Sequence, residues 1–354
     1  MAPNTENMPT SSSADTRPGP ARVNNEGMGK NTIDPARTRT DRKEGFYVEA
    51  PSRASLVTAT LRRGCCGCPP VRHVRNAPSF QHIPHITIGY RVGFSLRHCL
   101  ASLFTFHNES INIWSHLLGT MYVFSVLVSF LRLERLHPNV DPIEYKAILT
   151  FLLSAVACLS FSTCYHTFGC MSERAFKFLL RMDLVGIALL IWGSYVPGIH
   201  YAFVCFPRWQ SLYQTITFLL LLLGLGGAAF TDTHCPRQSL FRTLTFAFLV
   251  GFGLVPSLHW CLLVPAHIRS IFLDNLLGMF LAYGVGFFFW SSRFPERLFE
   301  SKKGAAFSFD LLFSSHQLWH LCIFFAVYTW LEGILEFHHA LHDLGCVVLR
   351  ADGD

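Results

Sequence analysis

The sequence predicts an all-α membrane protein: a seven-transmembrane helix bundle with a short interfacial amphipathic helix before the first span and a cytoplasmic N-terminus. Three observations predict it. Of 354 residues, 51% are hydrophobic and 15% charged, and the mean hydropathy is +0.32. A soluble domain carries about 25% charged residues, so this chain is short of groups that face water. Seven apolar segments follow residue 110, each matching a bilayer that needs about 20 helical residues. Lys and Arg in the short loops between them fall unequally on the two faces, as the bias of cytoplasmic loops requires.

The elements follow in order. Residues 1–75 are rich in Ser, Thr, Asn, Pro, Gly and charge, with almost no aliphatic periodicity. They cannot bury enough apolar area to offset ordering entropy, which makes them a disordered basic cytoplasmic tail. Its first 50 residues are polar, so no cleavable signal peptide is expected and insertion would begin at an internal helix. Within the tail, Cys65-Cys66-Gly67-Cys68 fits acylation near the membrane, an adventitious metal site or no fixed role. Residues 76–110 form a juxtamembrane segment. In it, Leu96, Cys99, Leu100, Leu103 and Phe106 recur at helical spacing among Arg91, Arg97, His98 and Ser102. At about 15 residues this stretch is too short to span and reads as a helix lying in the interface.

The spans are expected at 111–131, 147–168, 178–201, 212–231, 243–264, 271–291 and 311–335, which makes 111–335 the seven-transmembrane domain. Residues 336–354 form a short C-terminal tail on the non-cytoplasmic side. Orientation comes from the loops. Those after segments 2, 4 and 6 carry nine Lys or Arg, those after 1, 3 and 5 carry five, and the basic tail joins the heavier side. The sequon Asn108-Glu109-Ser110 then lies in the cytosol, unmodified.

This topology speaks against a G-protein-coupled receptor, whose N-terminus faces outside, and segment 7 has no lysine for retinal. The absence of an obvious internal repeat speaks against an inverted-repeat transporter. The formal charge of +6 comes with no nucleic-acid motif, so no nucleic-acid partner is expected. Residues 1–110 hold 14 Lys+Arg against 8 Asp+Glu, whereas the rest of the chain holds 15 of each. The basic balance therefore belongs to the tail and interfacial helix and suits an anionic inner leaflet. The twelve cysteines are too dispersed for a secreted disulfide framework. Cys158, Cys164, Cys205, Cys261 and Cys322 lie in apolar runs, where a free Cys acts as a small hydrophobe.

Ionisable groups inside spans are costly and mark function by default. Ser162 and His166 lie four apart on one face near the end of segment 2, Asp183 opens segment 3, and His316 and His320 lie one turn apart at the start of segment 7. All fall on the cytoplasmic side of the alternating topology. Each alone has a plain structural reading: two histidines bonded to neighbouring helices, or an aspartate complementing a helix dipole. Together, three imidazoles suit Zn²⁺ and leave a fourth position for water, with the carboxylate placed to orient that water or take its proton. His116 and His259 read as structural hydrogen-bonders, and His338, His339 and His342 as a surface cluster.

At these residues the chain resembles the progestin and adipoQ receptor family, the adiponectin-receptor and hemolysin-III-like proteins. The motifs are Gly89-Tyr90-Arg91, Asn108 through Gly119, Ser162 through His166, Asp183 through Ile187, Phe294 through Arg297 and Ser315 through His320, covering about 84–346. The resemblance implies seven helices, a cytoplasmic N-terminus and zinc held by His166, His316 and His320. Ser162 and Asp183 would stand behind the ligands, Asp183 acting through the bound water. It also implies chemistry of the ceramidase type, with zinc-activated water attacking a ceramide-like amide to release a fatty acid and a sphingoid base. The longer loop at 300–309 departs from the family pattern beside this site. The membrane is the plasma membrane or the Golgi or another endomembrane, and the lipid substrate is joined by a possible extracellular or lipid ligand. The alternative, from a different class, is a non-catalytic receptor or scaffold with structural zinc whose tail recruits cytoplasmic signalling partners. A channel or proton-coupled transporter lacks the chain of acids a relay needs.

Overall fold

The computed structural model describes residues 69–136, 141–230, 235–299 and 306–349. The tail before residue 69 with its Cys65-Cys66-Cys68 cluster, Lys302, Lys303 and the last five residues lie outside the described residues. Among these residues the fold is all-helical; the one β-contact is an isolated bridge between Arg72 and Tyr90.

The first α-helix, α1 (Leu96–Ser102), is half the expected length. Ser95 caps it by accepting from the His98 N–H, and Leu103 onward turns away to reach α2 (Ser110–Leu136). Asp141 caps α3 (Pro142–Phe168), with Pro142 in the first turn, where a missing N–H costs nothing. Ser172 likewise caps α4 (Glu173–Ala202). Then come α5 (Pro207–Phe230), α6 (Pro236–Gly251), α7 (Leu254–Leu263), α8 (Ala266–Ser292), the short α9 (Glu296–Phe299) and α10 (Ala306–Leu311), and α11 (Ser315–Leu349). The segment expected at 243–264 is broken in two at Phe252-Gly253.

Among the described residues, six stretches are long and apolar enough to cross a membrane: Ser110–Leu133, Pro142–Met171, Pro207–Phe230, Arg237–Leu263, Phe272–Phe299 and Ser315–His339. Helix α4 covers the segment expected as the third span and is not among these six. Leu219, Leu258, Leu262 and Leu281 are exposed on the outside of the bundle, the surface of a chain solvated by lipid rather than water. The protein is an integral, multi-pass membrane protein.

Inside, Val123 and Leu127 of α2, Phe151, Leu152 and Leu159 of α3 and Ala326, Val327 and Leu331 of α11 form the main core. Helices α3 and α4 approach most closely. A Cβ on Gly186 would lie 2.9 Å from the Cys158 Cα, so this contact requires glycine. The juxtamembrane chain packs against the same end. Gly89, at φ +94°, leaves no room for a Cβ beside Asn108 N and Leu311. Three donors, the Thr87 N–H, Thr87 hydroxyl and Ile88 N–H, converge on Asp310 Oδ2 at 2.6–3.1 Å.

Three expectations need correction. Asp183 does not open its helix; α4 begins at Glu173, so Asp183 lies in its interior and the helix-dipole reading fails. Cys205 is disulfide-bonded rather than free. His338 is no surface residue of fixed solvation, because its Nδ1 lies 2.6 Å from Glu144 Oε1, which also accepts from Tyr201 Oη at 2.7 Å.

Candidate metal centre

The C-terminal end of α3 brings His166 to the start of α11, which carries His316 and His320. That start is fixed by side chains. Ser315 donates from both its N–H and its hydroxyl to the buried Glu296, and Gln317 Nε2 donates to Asn108 O and Leu311 O at 2.9 and 3.0 Å. The ring nitrogens of His166, His316 and His320 consequently offer three ligand atoms within 4.8 Å of one another. A buried group of this kind can hold a metal ion.

The donor atoms fit that use. Glu109 Oε2 accepts a 2.7 Å hydrogen bond from His166 Nδ1, which turns Nε2 into the lone-pair nitrogen. That Nε2 is buried without a hydrogen-bond partner, as is His320 Nδ1. Buried nitrogens are normally satisfied, and a cation between the rings would satisfy these. Glu109 is in turn held by Asn112 Nδ2 at 2.6 Å. Burial alone would raise the Glu109 carboxyl, but His166 beside it, the bonds from His166 and Asn112, and His316 hold it well below the usual carboxylate range.

Two further predicted residues lie behind the ligands. Ser162 is buried one turn before His166, and its Oγ makes no hydrogen bond of normal geometry. Asp183 comes beside Ser162 and within electrostatic reach of His166 and Glu109. His116 departs from expectation. Rather than hydrogen-bonding, it stacks on His320 with ring centroids 3.8 Å apart, and neither of its nitrogens has a partner. His259 does hydrogen-bond, 2.9 Å from Tyr213 Oη, and lies outside the histidine group. Cys170, one turn beyond His166 in sequence, is not one of the group.

Glu109 is the residue sequence reasoning passed over, as the middle of a sequon. The signal was its spacing to Asn112, one turn on at the start of a span. Arg91 is the second. It is buried, donates from Nη1 to Ser102 Oγ (2.9 Å) and Thr167 O (3.2 Å) and from Nη2 to His166 O, and so grips the last turn of the ligand helix. Asn108 is buried, with its carbonyl on Gln317, and has no room for a glycan.

A cleft of about 890 Å³ reaches the histidines from the juxtamembrane side, lined among others by Arg91, Glu109, Cys170, Arg293 and the 80–84 segment. A separate apolar pocket, lined by Tyr195, Gly253, Trp260, Met279, Tyr283 and Trp330 among others, shares no lining residue with the cleft.

Residues 104–331 match the haemolysin-III-related family. The human progestin and adipoQ receptor family member 3 is 30% identical over 276 residues, 74% of this chain and 85% of the relative. Heptahelical transmembrane protein 1 of Arabidopsis thaliana is 31% identical over 269 residues, 73% and 77% of the two chains. The adiponectin receptor protein of Drosophila melanogaster is 30% identical over 272 residues, 75% and 59%. With the match running from the turn before α2 to the middle of α11 and so containing all three histidines, the chain belongs to the haemolysin-III-related family of progestin and adipoQ receptors.

Proposed function

We propose that this chain is a seven-transmembrane zinc protein, receptor-like in family, that hydrolyses a ceramide-like lipid amide. The observation that carries the reading is the group of three histidines with Asp183 beside it and, among the described residues, no fourth Cys or His in the group. Structural zinc is normally closed by four protein ligands, whereas catalytic zinc keeps a position open. Zinc at this site would supply a Lewis acid for the amide carbonyl and lower the pKa of water toward about 7.

The chain's own residues supply the rest. Glu109 fixes the tautomer and direction of the His166 ring. Asp183 accepts the proton from attacking water at a carboxylate oxygen and returns it to the leaving amine nitrogen, the general base turning general acid. The Ser162 hydroxyl, having no other partner, is free to orient that carboxylate.

Counting α4 as the third span gives seven, a count supported by the name of the Arabidopsis relative, a heptahelical transmembrane protein. With a cytoplasmic basic tail, seven spans support a cytoplasmic histidine end. Cysteine chemistry supports the same orientation. Cys205, after the far end of α4, is disulfide-bonded, while Cys99, Cys170 and Cys235 at the histidine end are in no disulfide. The exposed Leu96, Leu100 and Phe104 suit an interfacial position for α1.

The test is zinc content and ceramide turnover of purified protein, beside Asp183→Ala and His316→Ala. Wild type should hold zinc and release fatty acid, Asp183→Ala should keep zinc and lose turnover, and His316→Ala should lose both. Zinc without turnover in the wild type would replace this reading with the receptor or scaffold that recruits signalling partners. A metal-free wild type would overturn the site.

A further inference from the structure

Two thiols meet at the mouth of the cleft. Cys99 of α1 is fully buried, and Cys170 sits in the 3₁₀ turn Gly169–Met171 that continues α3, partly exposed and lining the cleft. Their sulfurs are 3.6 Å apart and neither is in a disulfide. A disulfide needs about 2.05 Å, so closing it asks for about 1.5 Å of side-chain movement.

The backbone around them is already joined without a covalent bond. The Cys170 carbonyl accepts from the Gly93 N–H at 3.1 Å and Gln81 Nε2 at 3.4 Å, tying the juxtamembrane chain to the turn. Arg91 bridges Ser102, in the same helix as Cys99, to the His166 and Thr167 carbonyls. Gln81 and Arg91 themselves line the cleft. A bond between these sulfurs would therefore fasten the chain that walls the cleft to the helix that carries His166, four residues away.

We propose that Cys99 and Cys170 form a reversible disulfide, closed by a peroxide, that staples the juxtamembrane segment over the mouth of the cleft. The Cys170 sulfur, reached through the cleft, attacks one peroxide oxygen. The O–O bond breaks, one water leaves, and a sulfenic acid forms. The Cys99 sulfur then displaces the sulfenic oxygen as a second water. The two thiols give up two electrons and two protons, and one peroxide becomes two waters. A dithiol reductant reverses the bond by exchange. A pair of this kind in a reducing compartment is normally open and closes only under oxidant.

The test uses full-length protein in lipid nanodiscs, treated with hydrogen peroxide, quenched and mapped by peptide mass spectrometry. The expected product is a 99–170 cross-linked peptide with two fewer free thiols. It is reversed by dithiothreitol, absent in Cys99→Ser and Cys170→Ser, and retained in Cys322→Ser. Hydrogen exchange across 81–95 should slow on oxidation of the wild type and stay unchanged in either serine variant at the pair. Oxidation of Cys170 to sulfinic acid without the cross-link, or a cross-link that leaves exchange at 81–95 unchanged, would overturn the staple. Neither readout needs bound zinc or turnover, so these results stand apart from those that test the hydrolase.

Discussion

At the scale of single residues, the candidate metal centre depends on atoms outside the three histidine rings. Glu109 holds the His166 ring through a 2.7 Å bond, and second partners of metal-bound histidines typically carry 10–100-fold of metal affinity. Glu109→Gln should weaken zinc binding by about that factor, measured by competition with a chromophoric chelator, with the helical content unchanged; equal affinity would remove Glu109 from the centre. His107 fixes the backbone that presents Glu109. Its Nε2 bonds Ser102 O at 3.2 Å and its Nδ1 accepts the Glu109 N–H at 3.1 Å, so the neutral ring is the one that fits. Burial, with the Arg91 cation beside it, holds His107 well below the usual histidine range. Its folded pKa is thus depressed, and the sign follows: its contribution is complete above the unfolded value near 6.5 and is lost progressively as pH falls below it. Protection factors for amides around 107–112 should drop by up to about tenfold per pH unit between pH 6 and 5. In His107→Gln, which keeps a donor and an acceptor without titrating there, the profile should be flat; an equally steep profile in the variant would assign the effect elsewhere.

At the scale of elements, the close contact of α3 and α4 sets the distance between the ligand helix and Asp183. Gly186→Ala places a Cβ 2.9 Å from a backbone carbon of the facing helix, which cannot rotate aside. Overpacking of this kind costs about 1–3 kcal/mol, and the helices should part enough to lower both the thermal midpoint and turnover. Gly226 in α5 is the control, because nothing lies within 4 Å of its Cβ position. Gly226→Ala should leave turnover unchanged and stabilise by about 0.5–1 kcal/mol through helix propensity. If both variants melted alike, close approach would not be the reason for glycine at 186. The same elements mark how far the sequence could be read. Ser162, His166, His316 and His320 were legible because one-turn spacing puts each pair on one helix face. The true start of α4 was not, since Glu173 through Arg181 look like loop by charge while Ser172 and the packing on α3 make them helix. His116 was misread because stacking on His320 is a tertiary contact with no local signature. Glu109 escaped because its spacing to Asn112 was the one local signal, while its partner His166 lies 57 residues away.

At the scale of the whole molecule, the apolar surface, the neutral bundle and the basic first 110 residues make one statement about orientation. The proposed orientation, with the histidine end in the cytoplasm, rests on loop charge, which membrane insertion reads rather than any contact in the finished fold. Cys235, free and partly exposed before α6, lies at that end. With the other described free cysteines replaced by serine, a membrane-impermeant maleimide added outside sealed, right-side-out cells should leave Cys235 unlabelled until the membrane is permeabilised. Asn108 offers an independent reading, because it belongs to a sequon yet is buried under Gln317. Digestion with a glycosidase should leave the protein's mass unchanged. Labelling of intact cells, or a glycan on Asn108, would put the cleft outside. The receptor-like reading would then gain over the hydrolase, since a metal centre open to the exterior is placed to meet an extracellular ligand rather than lipid of the inner leaflet. A protected Cys235 would fix the cleft on the side where the basic tail meets anionic lipid, and where a substrate would enter beneath the juxtamembrane cover, whereas Asn108 speaks only if it carries a glycan.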